Sequence, residues 1–71
     1  MKNIIVLGAG MVGSTIAIDL SNKHKITLTD FNQEALSKAE QKCNDLTIQL
    51  LDVTDKNTLQ ETIKKFDLVV C

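Results

Sequence analysis

A chain of 71 residues has room for one small domain, and at that size only about 60% of the unfolded surface is buried, so marginal stability and membership of a larger protein are expected. Eight basic and nine acidic residues, spread along the chain to a net charge of −1, give no electrostatic basis for binding nucleic acid or an anionic membrane. Cys43 and Cys71 have no CxxC or Cys/His grouping around them, so free thiols and no metal site are expected.

At the N-terminus, Lys2 precedes a largely apolar stretch that reaches Ile18, a pattern that a secretory signal can share. Glycines interrupt it and no separate cleavage region follows, so a cytoplasmic protein is expected. The run Ile4-Ile5-Val6-Leu7 is continuously apolar, as suits a strand buried on both faces of a parallel sheet. Gly8-Ala9-Gly10-Met11-Val12-Gly13 follows it, the Gly-x-Gly-x-x-Gly turn that opens a dinucleotide-binding helix. Each glycine has its own task there: Gly8 permits the tight turn, Gly10 lets the backbone approach a pyrophosphate, and Gly13 lets the helix pack close to the strand. The N–H groups and the dipole at the helix start would stabilise the phosphates, so the turn needs no lysine or arginine and has none.

Apolar residues at Val12, Ile16, Ala17 and Leu20 predict one buried helical face, ending near Ser21-Asn22-Lys23-His24. His24, alone in a polar loop remote from the glycine turn, is given no role. Ile26-Thr27-Leu28-Thr29 reads as a second strand that ends in Asp30, about 20 residues beyond the turn, where an acidic residue accepts hydrogen bonds from the adenosine ribose. Asn32 is the expected cap of a second helix that runs to about Cys43. Leu46-Thr47-Ile48-Gln49-Leu50-Leu51 predicts a third strand. After Asp52 and Val53, Thr54 is the expected cap of a third helix with Leu59, Ile63 and Phe66 on its buried face, and Leu68-Val69-Val70 begins a fourth strand.

The order β-α-β-α-β-α-β implies an α/β fold of Rossmann type: a doubly wound parallel sheet with strands in the order 3-2-1-4 and right-handed crossovers. Two helices would cover one face and the third the other. Ligands bind at the reversal between strands one and four, beside Cys71. A fourth strand left as an unprotected edge suits the N-terminal part of a dinucleotide-binding domain, so the remainder of that domain and a substrate domain are expected outside residues 1–71.

The stretches 5–13, Ile18-Asp19-Leu20, Thr29-Asp30, Leu51-Asp52-Val53-Thr54-Asp55 and Phe66-Asp67-Leu68-Val69-Val70-Cys71 together resemble the N-terminal cofactor domain of the saccharopine dehydrogenase family, with its lysine 6-dehydrogenase-like members. The resemblance covers essentially the whole chain. It implies an oxidoreductase that transfers hydride between a nicotinamide cofactor and the carbon–nitrogen centre of an amino acid, whose substrate and catalytic groups lie in a following domain. The positions carried over are Gly8, Ala9, Gly10, Met11, Val12 and Gly13 around the pyrophosphate and Asp30 at the ribose, with Phe31 and Asn32 beside it. Asp52 and Val53 follow strand three, where folds of this type border the adenine, although Asp52 could equally be a polar strand end or a helix cap. Cys71 is expected near the cofactor through its backbone.

Asp30 would meet the extra phosphate of NADP with like charge, and neither Phe31 nor Asn32 is basic, so NAD is expected over NADP. A different function class resembles the same pattern: TrkA-N or RCK-type regulatory domains of potassium channels and transporters, which bind nucleotides as ligands without redox chemistry. They usually have Gly-Asp-Ala-Thr after strand three, where this chain has Leu51-Asp52-Val53-Thr54, and a short Ala-Gly turn before strand four, where it has Ile63-Lys64-Lys65-Phe66-Asp67; the dehydrogenase is preferred on both grounds. The expected partners are thus a dinucleotide and an amino-acid substrate, with no nucleic acid and no membrane; self-association into a homo-oligomer is left open.

Overall fold

The computed structural model describes residues 1–71. In chain order the elements are β1 (Asn3–Leu7), α1 (Met11–Leu20), β2 (Lys25–Asp30), α2 (Gln33–Lys42), β3 (Thr47–Leu50), α3 (Lys56–Ile63) and β4 (Leu68–Val70). The sheet has the order β3-β2-β1-β4, and every neighbouring pair is parallel. Ile5 lies opposite Thr27 on one side and Val69 on the other, which makes β1 and β2 the inner strands. The continuous apolar run of β1 follows from that position, because Ile4, Ile5 and Val6 point to alternating faces and all three are buried.

Most of the core lies under α1 and α2. Ile4 and Val6 of β1 and Ile26 and Leu28 of β2 meet Ala17 of α1 and Leu36 and Ala39 of α2. Right-handed crossovers put α3 on the opposite face, where its Leu59 shares a cleft with Leu7 and Thr29. Thr29 is buried there without penalty because its hydroxyl donates to the Val6 carbonyl at 3.1 Å. Asp67 fixes the far end of the sheet: its carboxylate accepts from the Asn3 N–H at 2.9 Å, and its own N–H donates to the Asn3 carbonyl at 2.7 Å.

Two expectations about the helices are corrected. Of the expected apolar stripe of α1, Ala17 is buried and Leu20 packs against the core, but Val12 and Ile16 are exposed, and Gly13 shares the side turned to the sheet. Sterics decide this rotation. A Cβ built on Gly13 would overlap the Gly8 carbonyl oxygen and lie 3.1 Å from its carbonyl carbon, so the one helical position without a Cβ has to face the turn. The second correction concerns α3, whose cap is Asp55 rather than Thr54; the Asp55 carboxylate accepts from the Thr58 N–H at 3.2 Å and from its hydroxyl at 2.9 Å. Thr54 is occupied one turn earlier, where its N–H and hydroxyl both donate to Asp52. Asn32 caps α2 as its position predicts, accepting from the N–H groups of Glu34 and Ala35. Cys43 is the half-buried residue that ends α2, with Sγ 3.5 Å from the Ser21 hydroxyl.

These assignments have measurable consequences for stability. In Gly13→Ala the gain in helix propensity, about 1 kcal/mol, opposes a backbone overlap of the kind that costs about 1–3 kcal/mol or more. Because the obstacle is a main-chain carbonyl and not a movable side chain, the overlap wins, and thermal melting should show a fall of several degrees. A melting temperature equal to or above that of the wild type would contradict this packing. Asp55→Ala should cost about 1 kcal/mol as the loss of a cap, whereas Thr54→Ala should cost less than about 0.5 kcal/mol; urea titration of both variants distinguishes this capping assignment from the reverse.

Candidate functional site

The carboxyl ends of all four strands lie on one rim of the sheet, and each expected site residue lies on or just beyond one of them. At the end of β1 the chain turns through Gly8 with φ +105°, a conformation that a residue with a Cβ rarely adopts. The Gly8 N–H donates to the Thr29 carbonyl at 2.8 Å, which ties the turn to β2. Ala9 is buried beneath the turn, where its carbonyl accepts from the Ser14 hydroxyl at 2.9 Å. Gly10 then caps α1 with an extended backbone, φ −66° and ψ −178°, and no side chain supplies a capping hydrogen bond.

That missing cap distinguishes α1 from the other two helices. Asn32 and Asp55 satisfy backbone N–H groups at the starts of α2 and α3, while the start of α1 keeps its donors free of any side-chain partner. No acidic side chain lies in its first turn either.

The three glycines separate by cause. Gly8 is required by its φ and Gly13 by the Gly8 carbonyl, but a Cβ on Gly10 would meet nothing within 4 Å and its φ suits any residue. The fold itself therefore makes no demand for glycine at position 10.

Two clefts flank the turn and share Leu7, Gly8 and Cys71. The first, of about 400 Å³, is mainly apolar; Asp30, Phe31, Leu51, Val53 and Leu59 complete most of its lining. The second, of about 390 Å³, is bordered by Gly10, Met11, Val12, Gly13, Ile16 and Val70. Their junction lies at the ends of β1 and β4, the adjacent strands from which the chain winds in opposite directions. Phe31, 78% exposed, and Val53, 50% exposed, present free apolar surface at the mouth of the first cleft.

Not every expected residue joins them. Asn32 borders a separate groove between α1 and α2, and its side-chain oxygen is engaged in capping α2. Asp52 lines neither cleft. Its carboxylate accepts the Thr54 hydroxyl at 2.6 Å and the Thr54 N–H at 2.9 Å, and these two hydrogen bonds hold its pKa below the usual carboxylate value. Ala9 contributes through its backbone, since its N–H donates to Asp30 at 2.7 Å. Leu51 and Leu59 belong to the first cleft although the sequence reading gave them only structural places; the signal available was an apolar residue at the carboxyl end of β3 and another on the α3 face next to it.

No helix is long and apolar enough to cross a membrane, and no cluster of His, Cys, Asp or Glu is arranged to hold a metal ion. A search of curated proteins finds no match. Among solved structures, the 3-hydroxyacyl-CoA dehydrogenase of Archaeoglobus fulgidus superposes with a TM-score of 0.68 at 20% identity, over 96% of this chain and 33% of that one. The likeness is one of fold, and the chain spans about a third of that enzyme's length. At the family level residues 4–71 match the TrkA-N domain, while the saccharopine dehydrogenase family is not shown by these matches. With the glycine turn, the strand order and this match over nearly its whole length, the chain belongs to the TrkA-N domain family of Rossmann-type NAD(P)-binding domains.

Proposed function

We propose that the chain binds NAD across the two clefts as a regulatory ligand, with the pyrophosphate at the start of α1, the adenosine in the apolar cleft beside Asp30 and Phe31, and the nicotinamide half toward Met11 and Val12. The observation that carries this reading is Gly10, a glycine for which neither the backbone conformation nor the packing gives a reason. An approaching ligand supplies one. Gly8, Ala9, Met11, Val12 and Gly13 form the rest of the phosphate turn, Val53 is an apolar wall for the adenine, and Cys71 borders both halves through its backbone. Asn32 and Asp52 act indirectly in this reading, by shaping the loops that carry Phe31 and Val53.

The regulatory role rests on the match to the TrkA-N domain together with the resemblance to regulatory domains of potassium channels and transporters, which implies nucleotide binding without redox chemistry. A second reading, the cofactor unit of an amino-acid dehydrogenase whose remaining parts lie elsewhere in a longer protein, is favoured by two sequence features: Leu51-Asp52-Val53-Thr54 in place of the usual Gly-Asp-Ala-Thr, and Ile63-Lys64-Lys65-Phe66-Asp67 in place of a short Ala-Gly turn. Incubating the intact protein and NAD with saccharopine or lysine and following NADH absorbance separates the two. Turnover supports the dehydrogenase, and NAD binding without turnover of either supports the regulatory domain.

Two outcomes test the site itself. Gly10→Val should leave the circular dichroism spectrum and cooperative melting in place while weakening NAD binding by at least tenfold in calorimetric titration; unchanged affinity would remove the ground for placing a pyrophosphate there. NADP should bind at least tenfold more weakly than NAD, because its extra phosphate would meet the Asp30 carboxylate, and like charges brought together at an interface cost several kcal/mol. Competition between the two nucleotides measures this directly, and equal affinity would show that the charge argument fails.

A further inference from the structure

Asp30 uses both carboxylate oxygens before any ligand arrives. One oxygen accepts the Ala9 N–H at 2.7 Å, across the gap between the ends of β1 and β2, and the other accepts the Asn32 N–H at 2.8 Å within its own loop. The carboxylate thereby joins the β1–α1 turn to the β2–α2 turn, which carries Phe31 and the cap of α2. Hydrogen bonds to an ionised acceptor are roughly twice as strong as neutral ones. The Ala9 residue that donates is 5% exposed, so water has little access to replace a lost partner.

The other groups of the turn show why this bond matters. The Gly8 N–H is held by Thr29, the Ala9 carbonyl by the Ser14 hydroxyl, and the Gly10 carbonyl by the Ser14 N–H at 2.8 Å. Ala9 N–H is therefore the point at which the centre of the turn is fixed to β2, and the fixing group is a side chain at the ligand cleft.

We propose that Asp30 is a positioning residue for the phosphate turn: its carboxylate sets the conformation of Gly8-Ala9-Gly10 in advance and couples it to the Phe31 loop. It then supports any nucleoside diphosphate, including one without ribose hydroxyls. The proposal rests on the reading that the clefts take a dinucleotide, and it is separate from ribose recognition. An ionised carboxylate has about four lone-pair sites and two are used here, so the same side chain can accept from a ribose as well.

The test has a ligand-free arm and a ligand arm. Amide hydrogen exchange on the ligand-free wild type should find the Ala9 and Asn32 N–H groups protected; exchange of Ala9 at the rate of an unstructured amide overturns the proposal without any variant. In Asp30→Asn, which keeps one acceptor oxygen, at least one of these two amides should exchange tenfold faster or more while the Gly8 amide and the β1–β2 ladder stay protected. Unchanged exchange at both overturns it. Asp30→Glu, measured in the same way, keeps the charge but lengthens the side chain; it replaces the Asn variant if that protein does not fold, and should also loosen Ala9.

In the ligand arm, 2′,3′-dideoxyadenosine diphosphate is titrated against wild type and Asp30→Asn. Positioning requires about a tenfold loss of affinity in the variant, whereas equal affinity, with NAD alone weakened, would confine Asp30 to the ribose and overturn the proposal. A wild-type protein that binds neither NAD nor the dideoxynucleotide overturns the dinucleotide reading and the binding half of this proposal with it, and the exchange rates still decide the clasp itself.

Discussion

The contact on which the rest of the structure depends is the approach of α1 to the carbonyl of Gly8, possible only because position 13 has no Cβ. It fixes how α1 is rotated on the sheet, and the rotation fixes where the start of the helix points. Ala17, one turn further on, is then driven completely out of solvent against β1 and β2. A larger residue at either place would hold α1 away from the strand. The free N–H groups at its start would move with it, so the packing of the core and the shape of the phosphate turn are a single steric problem.

The same rotation explains an apparent waste of hydrophobic surface. Met11, Val12 and Ile16 are exposed on α1, and for Val12 and Ile16 that exposure costs burial that the expected stripe would have gained. They are nevertheless not scattered. Together with Val70 they form most of the apolar border of the second cleft, next to the glycine turn. Under the proposed function this surface is the wall against which the uncharged parts of the dinucleotide lie, and the burial forgone in the free chain is recovered on binding.

The order of elements, the parallel sheet and the 3-2-1-4 topology were legible in the sequence because each rests on strong local signals: an unbroken apolar strand, glycines at three particular positions, and strands ending in turn residues. Asn32 was legible as a cap for the same local reason. The face of α1 was not, since hydrophobic periodicity ranks Val12 and Ile16 above glycine and cannot register that an absent Cβ determines the contact. The cap of α3 was missed because Thr54 and Asp55 are adjacent residues that can both cap; Asp is the better cap of the two, and Thr54 is engaged by Asp52 instead. For the family, the glycine turn and the acidic end of β2 were shared by both resemblances, and two short departures, after β3 and before β4, were too little to decide between them.

How the three helices start makes the division between fold and site visible in the chain itself. At α2 and α3, side chains of Asn32 and Asp55 complete the backbone donors, as a helix with only structural duties requires. At α1 the corresponding position is Gly10, which offers nothing, and the nearest carboxylate, Asp30, is bound instead to the N–H of Ala9, just before the helix begins. Were Asp30 turned toward the helix start it would satisfy those donors and oppose the dipole, and an incoming phosphate would find the place taken by a negative charge. Held by Ala9 and Asn32, the carboxylate ties the turn from the side and makes no hydrogen bond to the N–H groups that open α1. Under the proposed function an anion site and the acid that shapes it therefore stand next to each other, and what keeps them compatible is the direction in which one side chain is tied.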